Sequence, residues 1–222
     1  MRAARIEGVL FDLDGTLLDT AGDLATALNR VLAEQGRSPL PEARIRPTVS
    51  HGAVVMLCHA FALAPDDPAM PALHEAMLRH YEADIAGRTR PFPGMETVLA
   101  RVEALGLPWG IVTNKPARLT HPLLAALGLD RRAAAVVCGD TAPRPKPHPD
   151  PMEAACATLG VAPARCLTAG DALRDIQAGQ HAGCPTLAAL FGYLGAGDHP
   201  AGWGADGLLN TPQDLLRWLP PA

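Results

Sequence analysis

Two carboxylates stand at the end of a short apolar run near the start of the chain. Asp12 and Asp14 belong to the segment 12–16, which directly follows the apolar residues 9–11. Side chains alternate along a strand, but a turn at Gly15 allows both carboxylates to face one pocket. Two such anions repel each other unless a cation or a shared proton neutralises them. A hard cation such as Mg²⁺, which accompanies phosphate substrates, would do so.

The pair therefore indicates phosphoryl-transfer chemistry. One carboxylate can attack phosphorus as a nucleophile, and the other can act as a general acid and base, so that the reaction passes through an aspartyl phosphate. The Asp-x-Asp-Gly pattern is also common in turns without a catalytic role. The pattern alone leaves both interpretations open.

Further polar residues follow two other predicted strands. Residues 109–113 form an apolar strand that ends at Thr113, and residues 166–169 form another that precedes Asp171. Lys146 lies in a loop that several prolines make rigid. These residues are candidates to join the carboxylate pair in one site.

Strands and helices alternate through the second half of the chain. This alternation, with strands that are almost continuously apolar, predicts a parallel sheet covered on both faces. Ligands of such sheets bind beyond the carboxyl ends of the strands, where Asp12, Thr113 and Asp171 stand. The predicted strands are 9–11, 109–113, 134–138, 166–169 and 185–190, and the predicted helices are 116–128, 151–159, 176–182 and 211–218.

The segment between the first strand and the rest of the sheet has a different pattern. Its apolar residues have helical spacing, and it contains no convincing strand. We therefore predict an all-helical insert that is well placed to act as a lid. The predicted division is a core domain of residues 1–18 and 92–222 and a cap domain of residues 19–91.

Composition excludes several classes of function. The chain has 222 residues, 48% of them hydrophobic, and a formal net charge of −4, with no basic face that could hold a nucleic acid. The longest apolar stretch, 53–64, is too short to span a bilayer. Five cysteines without a Cys-x-x-Cys pair favour free thiols in a reducing compartment. We expect a cytoplasmic monomer or homodimer that binds neither nucleic acid nor membrane.

The motifs, taken in order, resemble those of the haloacid dehalogenase superfamily, in its phosphatase branch with a helical cap. That resemblance covers essentially the whole chain and implies an α/β fold, with a Rossmann-like parallel sheet core and an all-helical cap domain inserted after the first strand. Asp14 argues against dehalogenation, because a halide leaving group needs no proton. Family members commonly carry Ser or a second acid where this chain has Ala172, so one hydrogen bond near the metal is expected to be missing.

The resemblance also implies a role for each motif residue and Mg²⁺ as the cofactor. Asp12 matches the nucleophile, Asp14 matches the general acid and base, and Lys146 supplies a fixed positive charge. The implied Mg²⁺ ligands are Asp12, the carbonyl of Asp14, and Asp171, with Asp175 acting behind them or through water. The implied substrate-binding residues are Thr113 and Asn114, which would bind the phosphoryl oxygens, and Ser50 and His51 of the cap, which would bind the organic end of the substrate.

Two resemblances within the family bear on the substrate, a small phosphorylated metabolite. The segments 110–116 and 191–193 are similar to those of bacterial phosphoglycolate phosphatases. The segments 173–176 and 199–206 look like those of the N-acetylmuramic acid 6-phosphate phosphatases of cell-wall recycling. We expect a Mg²⁺-dependent phosphatase of the phosphoglycolate type, with the amino-sugar phosphate as the alternative substrate. A sugar phosphomutase is a further alternative, and a non-catalytic scaffold protein is disfavoured because all four motifs are intact.

Overall fold

A six-stranded parallel sheet forms the centre of the protein. The computed structural model describes residues 6–221, and every pair of neighbouring strands in this sheet is parallel. The central strands are short and apolar and lie buried on both faces, as their continuous hydrophobic runs predict. The strands are β1 (Gly8–Phe11), β4 (Trp109–Val112), β5 (Ala135–Val137), β6 (Cys166–Gly170), β7 (Thr186–Ala189) and β8 (Gly207–Leu209). Their order across the sheet is β5-β4-β1-β6-β7-β8.

Helices cover both faces of this sheet. They are α5 (Met95–Ala104), α6 (Ala117–Ala126), α7 (Asp150–Leu159) and α8 (Leu173–Ala182). Because side chains alternate along a strand, Val9 and Phe11 pack in the cluster that contains α5 and α6. Leu10 points to the opposite face and packs with residues of α7 and α8. The α/β fold with a parallel sheet is confirmed.

The helical insert leaves the core directly after β1. Its helices are α1 (Ala21–Glu34), α2 (Glu42–Ile45), α3 (Ala53–Phe61) and α4 (Met70–Glu82), with a 3-10 helix over Arg46–His51. The prediction that this segment lacks strands is wrong at its two ends. There, β2 (Leu18–Asp19) and β3 (Arg90–Pro91) pair antiparallel, which ties the start of the insert to its end. Strands of two residues have no periodicity that a sequence pattern could reveal.

The end of the chain differs from its prediction in two further ways. Strand β8 was not predicted, because only three residues stand between turn-forming neighbours. The predicted last helix is a 3-10 helix, Pro212–Trp218, rather than an α-helix. It spans seven residues and ends shortly before Pro220, which leaves too little length to stabilise an α-helical nucleus.

All five cysteines are free thiols, as predicted, and four of them are buried. Among residues 6–221, no helix has both the length and the apolar character that crossing a lipid bilayer requires.

Candidate active site

The carboxyl ends of three adjacent strands form one side of a cavity of about 390 Å³. Asp12 follows β1, Thr113 follows β4 and Asp171 follows β6, so the sheet brings residues that are distant in sequence to one edge. The helical insert lines the opposite side of the cavity. The predicted site residues that line it are Asp12, Asp14, Ser50, His51, Thr113 and Asn114.

Three carboxylates form a buried cluster beside this cavity. Asp12, Asp171 and Asp175 each offer a ligand atom, and these atoms lie within 4.8 Å of one another. Burial, with repulsion from neighbouring acids, raises the pKa of Asp171 to about 8, and burial raises the pKa of Asp12 to about 6. Within the described residues, Asp171 Oδ1 is buried without a hydrogen-bond partner. This set of oxygen donors, with one left unpaired, fits a hard divalent cation.

Gly15 permits the chain to pass close to Asp171. Its φ is +93°, in the region that residues with a side chain rarely adopt, and a Cβ atom at this position would overlap the Asp171 carboxylate. The turn that the sequence predicted therefore has two reasons to contain glycine.

Lys146 places a cation within the acidic cluster. Its Nζ donates to Asp12 Oδ1 at 2.6 Å and to the Val112 carbonyl at 2.7 Å, and it lies 2.7 Å from Asp175 Oδ1. The lysine side chain is fully buried. Burial alone would lower the pKa of Lys146, but Asp12 and Asp175 hold it above its usual value. The cation thereby offsets charge that the buried carboxylates would otherwise leave unbalanced.

Asn114 fixes the loop that carries this lysine. Its side chain donates to the Lys146 carbonyl at 2.9 Å and accepts from the Lys146 backbone N–H at 3.0 Å. Both ends of the amide are thus engaged with the loop. Thr113, the preceding residue, accepts a hydrogen bond from the Lys115 backbone at 3.1 Å, and among residues 6–221 its hydroxyl proton has no acceptor, so it can be donated.

The side chain of Asp14 lies outside the three-carboxylate cluster. Its Oδ1 accepts from Thr20 Oγ1 at 2.6 Å and from Lys115 Nζ at 2.8 Å. The same ammonium group donates to the Tyr81 hydroxyl at 2.9 Å and lies 4.4 Å from the centre of the Tyr81 ring. Burial alone would lower the pKa of Lys115, but Asp14 and Tyr81 raise it. Lys115 is not among the predicted site residues, although it directly follows the Thr-Asn pair.

The two predicted cap residues have different surroundings. Ser50 Oγ donates to Asp171 Oδ2 at 2.6 Å, so the insert contacts the acidic cluster directly. His51 lies at the cavity wall with its Nε2 3.7 Å from Asp198 Oδ2. Arg174, which sequence reasoning passed over, also lines the cavity and donates to the Ser50 carbonyl.

The family model for haloacid dehalogenase-like hydrolases matches residues 9–189, which include the three-carboxylate cluster, Lys146 and the predicted cap residues Ser50 and His51. The chain belongs to that family. This confirms the resemblance that the motifs indicated, and as a haloacid dehalogenase-like hydrolase the protein carries its acidic cluster at the expected edge of the sheet.

Relatives of this hydrolase are phosphatases. The chain is 43% identical over 219 residues to the N-acetylmuramic acid 6-phosphate phosphatase of Pseudomonas aeruginosa. The match covers 99% of this chain and 97% of that protein. The chain is 44% identical over 214 residues to a phosphoglycolate phosphatase of Xanthomonas campestris pv. campestris, with 96% of each chain covered. The crystal structure of a predicted phosphoglycolate phosphatase from Haemophilus somnus superposes with a TM-score of 0.84 at 26% identity, covering 96% of this chain and 98% of that one. The protein is accordingly a phosphoric monoester hydrolase of the haloacid dehalogenase-like family.

Proposed function

We propose that the protein hydrolyses a small phosphomonoester in a Mg²⁺-dependent reaction with Asp12 as the nucleophile. The observation that carries the proposal is the buried Asp12–Asp171–Asp175 cluster, with the Lys146 ammonium 2.6 Å from Asp12 and an unpaired Asp171 oxygen. Asp12, Asp171 and the Asp14 carbonyl would hold the ion, and Asp175 would act behind them. When bound, Mg²⁺ supplies positive charge for the phosphoryl oxygens.

The proposed reaction has two steps. The Asp12 carboxylate forms a bond to phosphorus as the ester P–O bond breaks, and Asp14 gives its proton to the leaving oxygen. Water then attacks phosphorus, Asp14 takes a proton from that water, and the bond between phosphorus and Asp12 breaks. Thr113 and the Asn114 backbone donate hydrogen bonds to the phosphoryl oxygens, while Lys146 offsets the charge of Asp12.

We propose phosphoglycolate as the first candidate substrate, in line with the relative from Xanthomonas. The second candidate is N-acetylmuramic acid 6-phosphate, in line with the relative from Pseudomonas. A specific observation favours this larger ester. The cavity measures about 390 Å³ and has apolar walls formed in part by Leu24, Val54 and Leu78, and sites of about 300–1,000 Å³ are typical for ligands much larger than a two-carbon acid.

We further propose that residues 19–91 act as a cap over a core of residues 1–18 and 92–222. Ser50 and His51 would then contact the organic part of the substrate once it enters the cavity. The mutase alternative differs only in whether a sugar hydroxyl or water receives the phosphoryl group, so product analysis separates the two.

The test is kcat/KM with Mg²⁺ for the two candidate esters, measured side by side. A preference of about 100-fold, equal to about 2.7 kcal/mol in transition-state binding, would name the substrate. Asp12→Asn should abolish turnover, and Asp66→Asn, which removes an exposed carboxylate from the insert, should not. Substantial Mg²⁺-dependent activity of Asp12→Asn would remove Asp12 as the nucleophile, and full activity after chelation would refute the metal.

A further inference from the structure

Arg174 presents a guanidinium group to the cavity from the first turn of α8. Its Nη2 donates to the backbone carbonyl of Ser50, which belongs to the insert. The group therefore lies where the core meets the cap loop, beside Ser50, which is proposed to contact the organic part of the substrate. The phosphoryl end of the cavity has its own donors in Thr113 and Asn114.

Arg174 differs from the other cation that lines the cavity. Lys115 is paired with Asp14 at 2.8 Å, and the nearby Lys146 is paired with Asp12 and Asp175. Among residues 6–221, no carboxylate oxygen lies within 4.0 Å of the Arg174 guanidinium. Burial alone would lower the pKa of Arg174, but the acidic cluster and Asp14 raise it through space. The planar fork of N–H donors has one hydrogen bond, to a neutral carbonyl, so most of its donors are available to an anion.

We propose that Arg174 binds a carboxylate on the organic part of the substrate and so makes the enzyme selective for phosphate esters of acids. This inference rests on the proposed phosphatase function and names the class of its substrate. Both candidate esters belong to that class, because phosphoglycolate ends in a carboxylate and N-acetylmuramic acid carries one on its lactyl group. A guanidinium fork matches a carboxylate in two parallel charge-assisted hydrogen bonds, which gives selectivity over a neutral hydroxyl group.

Two pairs of esters test the inference, and the pairs also tell the two sources of the carboxylate apart. Phosphoglycolate is compared with ethyl phosphate, and N-acetylmuramic acid 6-phosphate with N-acetylglucosamine 6-phosphate, which lacks the lactyl group. In the wild-type enzyme, the acid of at least one pair should have a kcat/KM about 100-fold above that of its neutral partner, as expected for a paired charge in a partly buried site.

Arg174→Met should remove that preference. Its kcat/KM should fall about 100-fold for the acid, mainly through KM, and stay within about threefold of wild type for the neutral ester. Arg174→Lys, which keeps the charge but loses the fork, should fall between the two. Arg217→Met removes the same charge from an exposed site, with 81% of the Arg217 side chain accessible, and should behave as wild type.

Equal losses on both esters of a pair would overturn the inference, because they would assign Arg174 to the phosphoryl group or to cap closure. A wild-type enzyme that does not discriminate within either pair would overturn it whether or not the variants fold. Failure of the proposed function looks different, since none of the four esters would then be hydrolysed. In that event, calorimetry can measure the affinity of the acid esters for the Asp12→Asn protein and for the Asp12→Asn/Arg174→Met protein. A weaker affinity of the double variant would support the role of Arg174, and equal affinities would refute it.

Discussion

Lys115 connects a proposed catalytic carboxylate to the helical insert. Burying an ammonium group is unfavourable unless it is paired, and here Asp14 and the Tyr81 hydroxyl supply its partners. Lys115, which follows the carboxyl end of β4, therefore helps to fix the position of the Asp14 carboxylate. Lys115 also contacts helix α4 through Tyr81. In this arrangement Lys115 is a positioning residue, since it acts on the substrate through Asp14.

Replacing this lysine should slow the chemical step more than it weakens binding. Lys115→Met is expected to lower kcat about 100-fold, within the range for loss of general acid–base catalysis, while KM changes little. Tyr81→Phe removes only one partner of Lys115 and should cost about threefold in kcat, because the ion pair with Asp14 remains. Steady-state kinetics on the preferred ester measure both values. A kcat for Lys115→Met equal to wild type would show that Asp14 needs no such support.

Gly15→Ala tests the close approach of the chain to Asp171. Gly36 also has a positive φ, of +67°, but a Cβ atom there would meet nothing within 4 Å. Gly36→Ala should thus cost only the backbone term, about 1 kcal/mol in the free energy of unfolding. Gly15→Ala should cost about 3 kcal/mol or more, because overlap with the Asp171 carboxylate is added. Urea denaturation of the two variants gives the comparison, and equal losses would contradict it.

Among the site residues, the sequence predicts the positions of those that directly follow a strand. Asp12, Thr113 and Asp171 each stand directly after an apolar run, so a parallel sheet must bring them together. The contacts of Lys115 and Arg174 could not be predicted in this way, because the direction of a long side chain depends on tertiary packing. Lys115 reaches a carboxylate 101 positions away in the sequence.

The short β2–β3 pair is the element where the insert meets the core. Asp19 of β2 accepts hydrogen bonds from both terminal nitrogens of Arg46, at 3.0 and 2.9 Å, and one from the Tyr193 hydroxyl at 2.8 Å. The Arg46 guanidinium also lies 4.8 Å from the centre of the Tyr193 ring. One bidentate ion pair therefore links the junction, the insert and the loop after β7.

This ion pair should appear in the pH dependence of stability. Burial alone would raise the pKa of Asp19, but Arg46 and Tyr193 hold it below its usual value of 3.8. Because folding lowers this pKa, the stabilisation is present above pH 3.8 and is lost as pH falls through the lower, folded value. About a third of each side chain is exposed, so the pair contributes at most about 1 kcal/mol.

Arg46→Met should thus be less stable than wild type at pH 6 by up to about 1 kcal/mol, and the difference should shrink towards zero as pH falls below the folded pKa of Asp19. Arg44→Met, which removes an exposed arginine from α2, controls for the loss of net charge. Unfolding midpoints across this pH range provide the measurement. A constant difference at all pH values would assign the effect to packing of the arginine on Tyr193.

Among the elements, most of the longer ones outside the insert were predicted, but α5 was not, although Met95, Val98, Leu99 and Val102 have helical spacing. The short strand β5 was predicted from its apolar run, and β2, β3 and β8 were not. Helix 116–128 corresponds to α6 and helix 151–159 to α7, since each has several turns of periodic apolar residues between proline and glycine. Strand β8 and the β2–β3 pair consist of two or three residues each and exist because a neighbouring strand offers hydrogen-bond partners. Such elements are properties of the folded sheet and leave little trace in the local sequence.

For the whole molecule, the insert and the core meet around the cavity through a few polar contacts. Ser50 donates to Asp171, Arg174 donates to the Ser50 carbonyl, and Tyr81 accepts from Lys115. Ser50, Tyr81, Lys115 and Arg174 line the space for substrate, and the Ser50–Asp171 and Tyr81–Lys115 hydrogen bonds also hold the insert against the core. Closure and site assembly are therefore expected to be one event.

Weakening two of these contacts should open the molecule in the absence of ligand. Hydrogen bonds to charged groups contribute about 1.5–3 kcal/mol each, so removing two would change the ratio of closed to open forms by about 100-fold or more. The Ser50→Ala/Tyr81→Phe protein should thus have a larger radius of gyration than wild type by small-angle X-ray scattering. Adding Mg²⁺ with orthovanadate should reduce the radius of gyration, because a phosphoryl mimic between insert and core restores contacts that the variant lacks.

Ser38→Ala, at an exposed position of the insert, should scatter as wild type does. An unchanged radius for the double variant would mean that the insert stays closed without these two hydrogen bonds.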